Sequence, residues 1–291
     1  MSHILAPQTR KPHSGQAGRR LVTGLVSFFL LVVALLIIWP VVHMVAAAFT
    51  PGQSVADMPI IPFSDGITLE HFAFLFSQTD YWRWFANTLI IAVCTCAVTM
   101  LCASLGAYVF SRFQFQAKKS MLMSMLVLNV FPSFVGMVAV YIILLRLGGL
   151  DTLWGLMLVY LAGSLPYATW MVKSYMDTIP RSMDEAARID GASNFRVWWQ
   201  IIMPSARPIL TFLAVTSFTA PWMDFIFPKL VLRSPENLTL ALGLYNFVTD
   251  KNNFFTNFTA GAILVAIPFM IFFIATQRFL TSSLAGASVK E

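Results

Sequence analysis

The stretch Glu185-Ala186-Ala187-Arg188-Ile189-Asp190-Gly191, followed nine residues later by Ile201-Ile202-Met203-Pro204, is a polar, turn-containing insert between long apolar segments. The 291-residue chain around it is 58% hydrophobic and 11% charged, with a mean hydropathy of +0.74. A soluble domain carries about 25% charged residues. A surface this poor in charge cannot face water everywhere, so much of its solvent is lipid. The polar insert is then a connector at the membrane face, and the apolar segments beside it are spans.

Working outward, six segments are apolar and near the ~20 residues needed to cross a bilayer. They lie at roughly 22–48, 85–110, 121–145, 153–172, 207–228 and 259–280. The fourth has the weakest pattern, because it holds Gly155, Gly163 and Pro166. Pro132, Pro221 and Pro268 also fall in spans, where neighbouring groups must re-satisfy the carbonyls they free. The expected fold is an all-α integral membrane protein with six transmembrane helices and a short helix in the polar insert. Residues 1–20 form an N-terminal tail, 21–280 the six-span domain with its loop at 182–204, and 281–291 a C-terminal tail.

Basic residues set the orientation. The tails, the second-to-third connection and the fourth-to-fifth connection hold Arg10, Lys11, Arg19, Arg20, Arg112, Lys118, Lys119, Lys173, Arg181, Arg188, Arg196, Arg207, Arg278 and Lys290. The opposite side holds Arg83, Arg146, Lys229, Arg233 and Lys251. The positive-inside rule places both termini and the polar insert in the cytoplasm. It also accounts for the net charge of +6 without nucleic acid. A cleaved signal is disfavoured although Ala46-Ala47-Ala48 looks like a cleavage site: the apolar run spans 21–48, against about 7–15 residues for a signal core. Cys94, Cys96 and Cys102 share one apolar run and read as small buried hydrophobes. His3, His13, His43 and His71 are scattered, so no metal or catalytic cluster is expected and no cofactor is called for. The chain lacks the G-x-x-x-x-G-K-[ST] loop that cradles ATP phosphates.

Within the insert, Pro180 ends the preceding helical extension, and Ser182-Met183-Asp184-Glu185 has the form of a capping box. Asp184 and Arg188 are spaced to pair at i,i+4, and Gly191 suits a left-handed helix stop. The expectation is a short helix over about 183–190, a turn, and a second helix through Phe195, Trp198 and Trp199. Ala186 and Ala187 make a small face that fits deep in another protein's groove, while Glu185 and Asp190 can accept charge-assisted hydrogen bonds. From local physics alone, a solvated connector with no partner fits equally well.

The full pattern of EAA, Gly191 and Ile201-x-x-Pro204 resembles the EAA motif, the cytoplasmic docking loop of bacterial ABC-importer permeases, with Met203 at the usual Leu position. The resemblance extends over residues 21–291. It includes Asn87-Thr88, Ala107-Tyr108-x-x-Ser111-Arg112-Phe113, Phe131-Pro132 and Thr239-Leu240-Ala241-x-Gly243. Pro221-Trp222-Met223-Asp224-Phe225 and the tail from Gln277 through Gly286, Val289 and Lys290 are similar to the second permease of maltose/maltodextrin importers. This implies a type I permease fold and no enzymatic activity of the chain itself. The implied partners are a homologous second permease, two ATPase subunits, an extracytoplasmic sugar-binding protein and membrane lipid. It also implies that Glu185, Ala186, Ala187, Asp190, Gly191 and Pro204 meet the ATPase, and that Gly286, Val289 and Lys290 touch it from the tail.

Two further sets of residues suit a sugar. Trp222, Asp224 and Phe225 offer an aromatic and acidic group at the outer end of the fifth span. An acid at membrane depth is a functional candidate, although Asp224 can equally be interfacial and paired with Lys229. In the resembled maltose importers the main sugar site lies in the other permease. The external loop 243–254, with Tyr245, Asn246, Asn252 and Asn253, reads either as a plain connector or, by the resemblance, as the segment that reaches the binding protein. An ion-gradient-driven transporter is the alternative class. It would call for mid-span charges or internal repeats, and the sequence shows neither.

Overall fold

The computed structural model describes residues 14–130, 133–249 and 253–287. In chain order the helices are α1 (Ser14–Phe49), α2 (Glu70–Gln78), α3 (Tyr81–Arg112), α4 (Lys118–Val130), α5 (Met137–Leu147), α6 (Leu153–Met176) and α7 (Arg181–Ile189). There follow α8 (Asn194–Val197), a π-helical stretch (Trp198–Ile202), α9 (Met203–Ser205), α10 (Arg207–Met223), α11 (Ile226–Val231), α12 (Leu240–Tyr245) and α13 (Phe255–Ala287). No strand occurs among the described residues.

Among the described residues, four helices are long and apolar enough to cross a membrane: Arg20–Phe49, Tyr81–Arg112, Leu153–Met176 and Phe255–Arg278. The other two expected spans are interrupted. The third is divided into α4 and α5 by a 3₁₀ turn at Ser133–Gly136, beside Phe131 and Pro132, which lie outside the described residues. The fifth ends at Met223, short of the expected 228, because Asp224 takes an extended backbone (φ −85°, ψ 129°) and its carboxylate Oδ1 accepts from the Ile226 N–H at 2.8 Å. The Asn194–Ser205 segment meets α10 at 81°, so the two form one bent unit. Conversely α6, whose sequence pattern is the weakest, runs unbroken through Gly163 and Pro166. The sixth helix continues to Ala287, so much of the expected C-terminal tail is helical, and α1 begins inside the expected N-terminal tail.

Helix α3 is the centre of the bundle. Its small residues Ala103, Gly106 and Ala107 meet Ala168, Thr169 and Val172 of α6, and a Cβ added at Gly106 would sit 3.2 Å from the Thr169 methyl. Such close approach of small side chains is how helices associate where lipid removes the hydrophobic drive between them. Further along, Ala92 and Cys96 of α3 pack with Ala214, Phe218 and Trp222 of α10 and with Ala260 of α13. Of the three cysteines only Cys96 is buried; Cys94 and Cys102 lie on the outward side of α3, which corrects the expectation that all three are core. Asn257, buried at the start of α13, lies 2.7 Å from His71 Nδ1 on α2, and the other ring nitrogen of His71 lies 2.8 Å from the Thr50 carbonyl.

The start of α3 is fastened to the α11–α12 region by polar groups. Asn87 Nδ2 donates to the carbonyls of Glu236 and Leu238, both at 2.9 Å, and Thr88 Oγ1 accepts from the Leu240 N–H at 2.8 Å. Gly243 lies against the Trp84 ring so closely that a Cβ there would come within 2.4 Å of it. Asp151, in the α5–α6 connection with φ 57°, accepts from the Arg233 and Ser234 N–H groups at 2.9 Å and from the Ser234 hydroxyl. Burial by itself would raise the Asp151 carboxyl, but these hydrogen bonds, with one from Asn237, outweigh it and bring the group down to about 2.

A carboxyl lowered by folding stabilises the native state above its unfolded value of about 3.9, and that contribution is lost as pH falls through about 2. Asp151→Asn is therefore expected to lower the unfolding midpoint of the purified protein by about 2–4 °C at pH 7. The deficit relative to wild type should shrink between about pH 4 and pH 2. Thermal unfolding in detergent at several pH values checks both parts, and a pH-independent deficit would contradict the assignment to the carboxylate.

Candidate functional site

The polar insert folds as a helix, a left-handed turn and a second helix. The helix α7 starts at Arg181 with Pro180 as N-cap and no side-chain cap, so the expected capping box at Ser182 does not form. Pro180 pre-sets the chain direction and places Ser182 inside the first turn. The serine that does cap is Ser193, whose Oγ accepts from the Arg196 N–H at 3.3 Å and opens α8. The stop at Gly191 is as expected: its φ is 81°. The Gly191 N–H donates to the Arg188 carbonyl at 3.0 Å and the Ala192 N–H to the Ala187 carbonyl at 2.9 Å, the paired closure of a Schellman turn. Ala187 and Ala192 both pack on the core beneath, as the apolar contact of that motif requires.

The outward face of this unit carries Glu185, Ala186, Arg188 and Asp190, all exposed, with Ile189 86% and Phe195 67% exposed beside them. Large apolar side chains so bare at the most polar end of the chain form a face suited to another macromolecule. Beneath it, Val197, Trp198 and Ile202 are buried against the ends of α3 and α6. The π-helical stretch precedes Pro204, which has no N–H for the ladder, and the Met203 N–H reaches back to the Trp198 carbonyl. Pro204 itself borders an open cleft of about 620 Å³ together with Trp199, Met203, Arg207 and Leu210.

Asp184 departs from expectation. It does not pair with Arg188 but turns inward, 4% exposed, to form an ion pair with Arg112 at the end of α3, with Nε and Oδ2 2.6 Å apart. The sequence shows Asp184 a partner one helical turn away and gives no sign of one at the end of a different helix.

At the opposite end of α3, two residue sets that the sequence presents separately come together. Phe225 stacks on Tyr245 with ring centroids 5.1 Å apart, and Lys229 Nζ lies 4.5 Å above the Tyr245 ring. Trp222, Phe225, Leu244, Tyr245 and Phe258 border a cavity of about 360 Å³. Trp222 contributes from inside the core, at 1% exposure. Asp224 is not paired with Lys229; its Oδ2 accepts from the Tyr160 hydroxyl at 3.0 Å. Tyr245 ends α12 and Asn246 starts a 3₁₀ turn, so half of the expected loop is helical and packed, with Phe247 against Trp84 and Phe74. Asn253 is exposed, whereas Asn252 lies outside the described residues. At the C-terminus Gly286 lies within α13, and Val289 and Lys290 are outside the described residues. No group of three or more His, Cys, Asp or Glu able to hold a metal occurs among the described residues.

Residues 98–285 match the family model of the binding-protein-dependent transport system inner membrane component. The chain is 37% identical over 263 residues to the maltodextrin transport system permease protein MdxG of Bacillus subtilis, covering 90% of this chain and 94% of that protein. It is likewise 37% identical over 277 residues to the galactooligosaccharides transport system permease protein GanQ of the same organism, covering 94% and 97%. Its fold is similar to a chain of the bacterial ABC transporter that imports the acidic polysaccharide alginate, with a TM-score of 0.75 at 21% identity over 92% of this chain and 99% of that one. The helical architecture, the apolar spans and the matched residues agree: the chain belongs to the family of inner membrane components of binding-protein-dependent transport systems, the multi-pass permeases of ABC importers.

Proposed function

We infer that this protein is one permease subunit of an ATP-driven importer for maltodextrin or a related oligosaccharide. The observation that carries the reading is the α7 unit, an exposed helix closed by a Schellman turn and flanked by bare Ile189 and Phe195. An ATPase subunit, on a separate chain, is the partner whose groove receives Glu185, Ala186 and Asp190. A homologous second permease, a second ATPase copy and an extracytoplasmic sugar-binding protein complete the machine. The names of the relatives, for maltodextrin and galactooligosaccharides, support a neutral oligosaccharide. The aromatic cavity beside Tyr245 suits the same cargo, since sugar rings rest on aromatic faces. The distribution of basic residues supports a cytoplasmic α7 and cytoplasmic termini, with the Tyr245 end outside. The tail residues Gly286, Val289 and Lys290 extend the ATPase contact.

Glu185→Lys reverses a charge on the exposed face, and Gly191→Val forces a β-branched residue to φ 81° with open space around it, so the cost is backbone strain and not a clash. Both variants should reach the membrane at near-normal abundance, retain less ATPase on co-purification, and take up labelled maltodextrin at about a tenth of the wild-type rate or less. Normal ATPase retention with normal uptake in both would remove the docking assignment.

Shortening the segment 249–253, next to the packed 3₁₀ turn, should leave basal ATP hydrolysis by the assembled complex intact while lowering its stimulation by loaded binding protein. Stimulation measured against binding-protein concentration decides this, and an unchanged curve would reduce the segment to a connector.

A further inference from the structure

Arg112 is the last residue of α3 and its guanidinium is almost completely enclosed. Nη1 donates to the Met176 carbonyl and Nη2 to the Ile179 carbonyl, both at 3.1 Å. Met176 is the last residue of α6, and Ile179 lies in the connector that leads to α7. The remaining nitrogen, Nε, faces Asp184 Oδ2 at 2.6 Å, and both side chains are 5% exposed or less. One planar cation thus joins three elements: the helix that carries it, the end of α6 and the first turn of α7. Around it, Ser111 Oγ donates to Asp177 Oδ1 at 2.7 Å and accepts from Arg112 Nη1 at 3.2 Å, Lys173 pairs with Asp177 at 2.6 Å, and Arg181 donates to the Ser111 carbonyl.

We propose that the Arg112–Asp184 pair is the joint through which movement of α7 is delivered to α3 and α6. Arg112 and Asp184 are positioning residues: Asp184 points away from the exposed docking face and touches no partner there. A buried ion pair is a poor source of net stability, because desolvation offsets much of the Coulomb gain, but it fixes geometry strongly. The connector from Asp177 to Pro180 is short and lacks helical continuity, so without the pair α7 would be held by a few backbone bonds, by the Arg181 bond to the Ser111 carbonyl at the exposed side and by Ala187 against the core. With it, a displacement of α7 is a displacement of two transmembrane helices. Arginine suits this place because Nη1 and Nη2 each reach a carbonyl while Nε faces the carboxylate, a spread of nitrogens that a single ammonium lacks.

The inference rests on the importer reading given above, and the experiment separates the two. The full importer complex is purified with wild-type chain, Asp184→Asn, Asp184→Glu, Arg112→Lys or Glu185→Lys, reconstituted in liposomes, and assayed for retained ATPase, ATP hydrolysis and labelled maltodextrin transported. Asp184→Asn should retain its ATPase, because the exposed face is intact, while sugar transported per ATP hydrolysed falls about tenfold. Asp184→Glu, which restores the charge, should recover at least part of that ratio. Arg112→Lys, which keeps the charge and loses the planar fork, should fall with Asp184→Asn, so the proposal survives poor folding of one variant. Glu185→Lys should instead lose ATPase. An unchanged transport ratio in both Asp184→Asn and Arg112→Lys overturns the joint, as does loss of ATPase from Asp184→Asn equal to that from Glu185→Lys. Wild-type chain that retains no ATPase overturns the importer reading, and the joint with it.

Discussion

Helices in lipid are not pushed together by the hydrophobic effect, since the tails around them are as apolar as leucine. Their association depends on how closely the backbones approach. In this protein that approach is set by Ala103, Gly106 and Ala107 of α3 lying against Ala168, Thr169 and Val172 of α6. The remaining elements are arranged around this seam. Helix α10 packs on α3 through Ala214 and Phe218, and α7 with the π-helical stretch covers the end of the seam through Ala187, Trp198 and Ile202. Polar groups then fasten its two ends: Asn87, Thr88 and Asp151 at one, Arg112 at the other.

How much of this is legible in the sequence follows from which interactions are local. The lipid-crossing segments are plain because a bilayer demands a continuous apolar run, and four of them coincide with helices. Gly191 is legible because only a residue tolerant of positive φ closes a helix in that way, and its φ of 81° agrees. The interruptions of the third and fifth spans are less so. Pro132 and Pro221 lie near both in the sequence, yet α10 runs through Pro221 just as α6 runs through Pro166. A proline breaks a helix only where neighbours do not restore its freed groups, and those neighbours come from elsewhere in the chain.

The polar insert is legible in the sequence as a unit but not in its details. Its helix, turn and second helix are where the spacing puts them, but the capping serine is Ser193 and not Ser182, and Asp184 is bound to Arg112 and not to Arg188. Both errors have one source. Sequence offers only neighbours within a turn as partners, and when a helix is seated on a core, the residue facing that core takes whatever the core presents. At the opposite end, the stacking of Phe225 on Tyr245 unites two segments that the sequence leaves apart, because the α11–α12 region folds back over the end of α10.

The corner at Ala206 has a mechanical meaning. Ala206 is fully buried, its N–H donates to the Ile202 carbonyl at 2.8 Å and its carbonyl accepts from the Leu210 N–H at 3.0 Å, so two backbone hydrogen bonds bridge the 81° bend although Pro204 and Pro208 contribute no N–H. A buried corner bridged in this way holds the two arms at a set angle. At 1.5 Å per residue the Asn194–Ser205 arm is about 18 Å long and α10 about 26 Å. The far end of α10 is where Trp222 and Met223 border the aromatic cavity, so the angle held at Ala206 sets where that wall stands relative to the polar insert.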